Sequence, residues 1–342
     1  MCLFPKLIIN PKYKVTKKNG GEIPPLSDER IKYVPIGCKK CIECKKKRKR
    51  EWQVRLLEEI KKDNKGTFVT LTFSNEEYSK IFEKFKEIVT GYEMDNAIAT
   101  YAVRHFLERW RKKYKKSVKH WLITEIGGHG SENIHLHGII WSQDVEEIKR
   151  IWKYGWVWVG YTKNEKNVNY INEKTVNYIT KYMLKVDTKH KEYEGKILTS
   201  SGIGKGYENS YNSKLNKYLE NKTKETYICR NGARIALPIY YRNKLYTEEE
   251  REKLWLQKLD KQERYVLGKK IKVDTPAGEL NYELSLIEAQ KKNKELGYGN
   301  NEKTWQQEQY NRERRNLKIC LYNRAVDGFN NHKRNSLTDP SS

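Results

Sequence analysis

Val118–Ile126 (VKHWLITEI), the glycine-rich GGHGSEN and Ile134–Trp141 (IHLHGIIW) form the stretch on which the fold turns. Both flanks are rich in β-branched and aromatic residues, and the polar, glycine-containing link between them marks a β-hairpin. Working outward, FVTLTF (Phe68–Phe73) has the alternation of another strand, and Ser74–Glu77 breaks it. GWVWVG (Gly155–Gly160) reads as a further strand. Between them, Ile98, Tyr101, Ala102, Phe106, Leu107 and Trp110 recur at three- and four-residue intervals, which predicts an amphipathic helix over about Met94–Lys116. A short helix is expected over Asp144–Trp152 and a longer one from about Val168 to Val186. The order strand, helix, hairpin, helix, strand, helix specifies an α+β domain with an antiparallel sheet and helices on one face.

The chain has 342 residues, with 69 Lys+Arg against 44 Asp+Glu, and so carries a formal net charge of +25. Its pI is about 9.5 and its mean hydropathy −0.94. Such a charge repels itself unless a polyanion neutralises it, so nucleic acid is the leading partner. The 24 tyrosines and nine tryptophans add flat faces on which unpaired bases can stack. No apolar run approaches the roughly 20 residues of a bilayer helix. The opening MCLFPKLIIN lacks the apolar segment of a signal peptide. The expectation is therefore an intracellular protein without a membrane partner. Three segments are expected: an N-terminal Cys-containing basic segment (1–65), a sheet-bearing domain (66–190) and a basic C-terminal region (191–342). The first is read as irregular to Cys44 and then helical. The last is read as weakly periodic, helical over about Leu280–Leu296 and disordered from about Asn330.

Alternate residues of a strand share a face, so His135 and His137 project side by side, and Glu125 on the partner strand can add a carboxylate. Two imidazoles and one carboxylate leave open positions on a metal for water or substrate. A second constellation is YITKYMLK (Tyr178–Lys185). On a helix, Tyr178, Lys181, Tyr182 and Lys185 fall within about a 100° arc, opposite Val176, Ile179 and Met183. Nearby cations favour a phenolate and steady a phosphate under attack. A divalent ion polarises that phosphate as a Lewis acid. Taken together, these groups suit transesterification of a phosphodiester. Upstream, Lys45, Lys46, Lys47, Arg48, Lys49 and Arg50 open a helix with an apolar stripe through Trp52, Val54, Leu56, Leu57 and Ile60, a candidate phosphate-binding face.

FVTLTF, the HLH motif and Tyr-x-x-x-Tyr with its lysines resemble, in order, the three motifs of HUH endonucleases that initiate rolling-circle replication. MCLFPK, VPIGCKKCIEC running into the basic helix, and SSGIGKGY (Ser200–Tyr207) are similar to the replication initiators of small circular single-stranded DNA phages, the microviruses. The motif resemblance covers about Cys38–Tyr207. It implies an HUH endonuclease fold, a central antiparallel sheet with helices of ferredoxin-like or RRM-like type. It also implies Mg²⁺ or Mn²⁺ held by Glu125, His135 and His137, with Tyr178 and Tyr182 as alternating nucleophiles. The implied partners are single-stranded DNA at a replication origin, a host DNA polymerase and a host helicase, in the host cytoplasm. The loop GGHGSENI lacks the Arg-Pro common in relatives, which bears on its DNA contacts more than on the metal site.

Cys38, Cys41 and Cys44 share a zinc-like spacing but supply three ligands; Cys2 or Cys229 could complete the set, and otherwise they are three reduced thiols. GIGKG (Gly202–Gly206) is not a P-loop, because Gly206 follows the lysine where Ser or Thr is required. His129 reads as a bystander. Two rivals to the phage-initiator reading are an HUH relaxase or transposase of a mobile element, and a non-catalytic protein that coats nucleic acid.

Overall fold

The computed structural model describes residues 1–89, 91–127, 132–160, 171–187, 190 and 193–300. The chain begins with β1 (Lys6–Ile9), β2 (Tyr33–Ile36) and α1 (Ile42–Lys62), followed by β3 (Thr67–Leu71), α2 (Asn75–Glu83) and α3 (Tyr92–Tyr114). Next come β4 (His120–Ile126), β5 (Ile134–Ile140), α4 (Val145–Trp152), β6 (Val157–Trp158), α5 (Glu173–Lys181) and β7 (Ile197–Thr199). The remainder holds β8 (Thr226–Ile228), β9 (Arg234–Ala236), α6 (Ile239–Leu245), α7 (Glu248–Asp260), β10 (Glu263–Val266), β11 (Lys269–Lys272) and α8 (Pro276–Glu295). Two compact units divide these elements, and each is discontinuous in sequence. One gathers Met1–Gly66, Val168–Tyr193 and Thr199–Asn301; the other contains Thr67–Asn167 and Glu194–Leu198.

The second unit is built on a five-stranded sheet of order β6-β3-β5-β4-β7, in which β3 pairs antiparallel with β5 and β6, and β4 pairs antiparallel with β5. This is the α+β class expected from the element order, consistent with an HUH-like fold. The hairpin register sets Glu125 opposite His135 and Ile123 opposite His137. Helix α3 packs on β4 and β5, burying Ile98, Ala102, Phe106 and Trp110 at the four-residue spacing that puts them on one stripe. Thr124, on the α3 side of the sheet, donates to Asn96 Oδ1 at 2.7 Å. Asn96 in turn donates to the carbonyl of Glu194 at 3.1 Å, tying the β7 approach to this helix.

Gly138, paired with Val69 on one side and Leu122 on the other, has no room for a side chain. A Cβ there would lie 2.0 Å from the Trp121 carbonyl oxygen and 2.8 Å from Leu122 Cα. Backbone cannot yield as a side chain can, so Gly138→Ala is expected to lose about 3 kcal/mol of stability, the upper part of the overpacking range. A urea midpoint equal to that of the parent protein would refute that packing.

In the first unit β1 pairs antiparallel with β2, α1 packs along α5, and the hairpins β8–β9 and β10–β11 each pair antiparallel. The stretch read as irregular before Cys44 thus contains a short two-stranded sheet, and α1 begins at Ile42. Its apolar stripe does turn inward, with Val54, Leu56, Leu57 and Ile60 buried. GIGKG packs against α1. The Gly204 N–H donates to Glu59 at 2.6 Å, Arg55 Nε donates to the Ile203 carbonyl at 3.0 Å, and Tyr241 donates to the Gly204 carbonyl at 2.8 Å. Gly204 has φ +74°, and a Cβ on it would meet the Arg55 carbonyl oxygen and the Tyr241 hydroxyl at 2.6 Å, which accounts for glycine here.

Three further expectations need correction. α2 occupies the segment read as a break after β3, because Ser74 is its N-cap and accepts from the Glu77 N–H at 3.2 Å. α5 is shorter than Val168–Val186: it opens at the cap Asn172 and closes at Lys181, with Tyr182 as C-cap. The region beyond Asp187, read as weakly periodic, carries the two hairpins and α6–α8, of which α8 includes most of the helix expected over Leu280–Leu296. The disorder expected from Asn330, His129 and most of the loop before His135 lie outside the described residues. Among the described residues no helix is long and apolar enough to cross a membrane.

Candidate active site

Strand alternation on β4 and β5 puts Glu125, His135 and His137 on one face of the sheet, with Thr70 beside His137 on β3. His137 Nε2 lies 2.7 Å from Glu125 Oε2. Its other ring nitrogen, Nδ1, is 3.0 Å from Thr70 Oγ1. The two imidazole centroids are 6.3 Å apart with their planes at 77°. Burial, reinforced by the neighbouring His137 and opposed by Glu125, pushes the His135 pKa down, which favours the neutral imidazole that binds metals. Gly127 makes room for that ring, since a Cβ there would sit 2.8 Å from His135 Cε1. The donor set, two imidazoles and a carboxylate on one face, fits a divalent cation, and Thr70 is the outer partner that orients one ligand. The sequence does not single out Thr70; its place in FVTLTF carries only the signal of a strand residue.

In the other unit, α5 carries the tyrosines. Asn172 caps it, its side chain accepting from the Thr175 N–H at 3.1 Å, and Val176, Ile179 and Met183 are buried. That leaves Tyr178 46% exposed and Tyr182 partly exposed on the opposite side. Their hydroxyls are 2.9 Å apart and their rings meet edge to face, centroids 5.6 Å apart. The residue spacing therefore yields a paired phenol set although Tyr182 is the capping residue. Lys181 is exposed in the last turn, whereas Lys185 lies beyond the helix end and shares no helical arc with the others.

The basic run proves to be joined to this helix, a link that no sequence period discloses. Gln53 Nε2 on α1 donates to Asn177 Oδ1 on α5 at 2.7 Å. Burial first, then the charges of Lys181 and Arg50, push the Lys49 pKa down. A cluster of cations thus accompanies the tyrosine pair, a suitable setting for the phosphates of a DNA strand. Lys47, Arg48 and Arg50 are its exposed members on α1. Replacing all three with Ala is expected to flatten the dependence of log affinity for single-stranded DNA on log salt by about 2, at about 0.7 per phosphate contact. An unchanged slope would mean that this face is only solvated.

The four cysteines near the chain start converge. Cys2, Cys38, Cys41 and Cys44 place their sulfurs within 4.8 Å of one another, the metal-ligand group of three or more His, Cys, Asp or Glu found among the described residues. Cys2, and not Cys229, completes the set. Backbone N–H groups of Phe4 and Cys38 donate to Cys2 Sγ at 3.3 and 3.2 Å, and that of Cys41 donates to Cys38 Sγ at 3.2 Å. Hydrogen bonds from the side chains of Cys38, Cys41 and Cys44 hold the Cys2 thiol well below its usual pKa.

Comparison with known proteins adds a family. Residues 66–187 match a family model of phage replication-associated proteins, the ORF2 type. That segment contains Glu125, His135, His137, Tyr178, Lys181, Tyr182 and Lys185. The replication-associated protein ORF4 of Chlamydia phage 1 is 23% identical over 230 residues, covering 62% of this chain and 53% of that relative. The chain therefore spans about half the length of the relative it matches. No solved structure matches the chain. Both similarities bear out the likeness, read from the motifs, to replication initiators of small phages.

Proposed function

We propose that this chain initiates rolling-circle replication of a small single-stranded DNA phage, as a metal-dependent, site-specific endonuclease and strand-joining enzyme. The observation that carries the proposal is the pair of phenols, hydroxyls 2.9 Å apart, within the same family-matched segment as the two histidines and Glu125. One phenol loses its proton and attacks the origin phosphate. The phosphorus–oxygen bond to the 3′ side breaks, the departing oxygen takes up a proton, and a 5′-phosphotyrosine remains. The freed 3′-OH primes a host polymerase while a host helicase opens the duplex, in the host cytoplasm. After one round the second tyrosine attacks the regenerated origin, and the 3′-OH released then displaces the first tyrosine and closes the circle. The phosphodiester bond is conserved throughout, so joining needs no nucleotide hydrolysis. Glu125, His135 and His137 would hold Mg²⁺ or Mn²⁺, which supplies Lewis-acid polarisation of the phosphate.

The test is incubation of the protein with Mn²⁺ and labelled single-stranded DNA of its own genome, read on a denaturing gel. A metal-dependent, protein-linked fragment mapping to Tyr178 or Tyr182 is the expected outcome. Intact binding with no adduct anywhere on the genome would overturn the proposal in favour of a non-catalytic coat of nucleic acid.

A further inference from the structure

We propose that Cys2, Cys38, Cys41 and Cys44 bind a structural zinc ion that fixes the start of the basic helix α1, independently of the reading of the catalytic site. Two sulfur pairs, Cys2–Cys41 and Cys38–Cys44, are each 3.9 Å apart. A disulfide needs about 2.05 Å, so these are not bonded pairs. Zinc–thiolate bonds of about 2.3 Å arranged tetrahedrally put sulfurs about 3.8 Å apart, close to the spacing seen. All four sulfurs lie within 4.8 Å of one another, which leaves space for a single ion rather than a polynuclear cluster. Soft thiolates in a closed tetrahedral set select zinc over the hard cations suited to carboxylate and imidazole.

The surroundings are those of a built site. Three backbone N–H groups point at ligand sulfurs, the outer-shell pattern that orients ligands and stabilises thiolates. Lys39, between two of the cysteines, adopts the left-handed φ of +68°. Gly37 is pressed against the cluster, where a Cβ would lie 2.9 Å from Cys44 Sγ. The site also has something to hold. Cys41 is the N-cap of α1 yet makes no side-chain capping bond. Instead the Ile42 N–H donates to Asn293 Oδ1 of α8 at 2.9 Å, and Gln290 of α8 donates to the Leu3 carbonyl at 2.7 Å. Leu3, Cys41, Val266, Ile271 and Ala289 form a small buried cluster around this point. One ion would therefore staple the first residues, the turn before α1 and the first turn of α1, where a core this small offers little burial.

The experiment measures metal in the full-length protein, purified under reducing conditions without chelator, by mass spectrometry, together with the spectrum after cobalt substitution. One zinc per chain is expected, with intense visible bands of tetrahedral thiolate-bound cobalt. Cys2→Ser and Cys41→Ser should lose the zinc and lower Tm. Cys229→Ser and His137→Ala should keep it, which separates this ion from any at the histidine site and keeps the result independent of nicking activity. Should the Cys41 variant fail to fold, the metal content and cobalt spectrum of the parent protein and of Cys2→Ser still decide. Substoichiometric zinc with all four thiols freely titrated in the folded protein would overturn the proposal, as would iron in place of zinc.

Discussion

Changing Tyr178 and Tyr182 together to Phe is expected to abolish the protein–DNA adduct, while each single variant keeps it at reduced rate. The reasoning begins with the 2.9 Å contact between the hydroxyls. In that contact one phenol donates and the other accepts. When the acceptor gives up its proton to attack, the donor stabilises the charged oxygen, and a hydrogen bond to a charged group is worth about 1.5–3 kcal/mol. Its loss in a single variant translates into a fall of about 10- to 150-fold in cleavage rate. The single variants should also cut without closing circles, because strand joining requires a second nucleophile after the first is esterified. Phe retains the ring packing on α5, so fold and DNA affinity serve as internal controls. An adduct surviving in the double variant would place the nucleophile elsewhere. Circles formed efficiently by a single variant would remove the alternating role.

These residues are legible in the sequence for different reasons. The hairpin can be read because two apolar runs flank a glycine-rich link, and its register follows once His135 and Glu125 face each other. α3 is legible because its apolar stripe holds a constant period over more than five turns. α5 is shorter than its sequence suggests because Met183 and Val186 continue the apolar period past Lys181, and no Gly or Pro marks the stop. The capping signal of α2, Ser74 with Glu77 three residues on, is present but overshadowed by the end of the strand before it. Contacts that join distant positions leave no local trace. Cys2 meets Cys38 across 36 residues of sequence, Gln53 meets Asn177 across 124, and Thr70 meets His137 across 67. The two units are assembled from interleaved segments, and hydrophobic period reports which face of an element is buried, not which element buries it.

Replacing His135 and His137 with Ala should lower metal-dependent cleavage by at least about 10³-fold, since a bound cation supplies several kcal/mol of charge stabilisation to the reacting phosphate. Single-stranded DNA binding should stay largely intact, because the cationic run Lys45–Arg50 lies on another element. A subtler variant separates metal binding from collapse of the sheet. Thr70 Oγ1 holds His137 Nδ1 at 3.0 Å, which directs Nε2 to the Glu125 side, where the carboxylate oxygen is 2.7 Å away. Thr70→Val keeps the β-branched shape that suits a strand and removes only the oxygen. Loss of such an outer partner weakens metal affinity by about 10- to 100-fold. The variant should therefore need more Mn²⁺ for half-maximal cleavage yet approach the parent rate at saturation. Cleavage retained by the double histidine variant in chelator would exclude the metal role altogether. A Thr70→Val rate that stays low at any Mn²⁺ concentration would show that the threonine acts on something other than the affinity of that site.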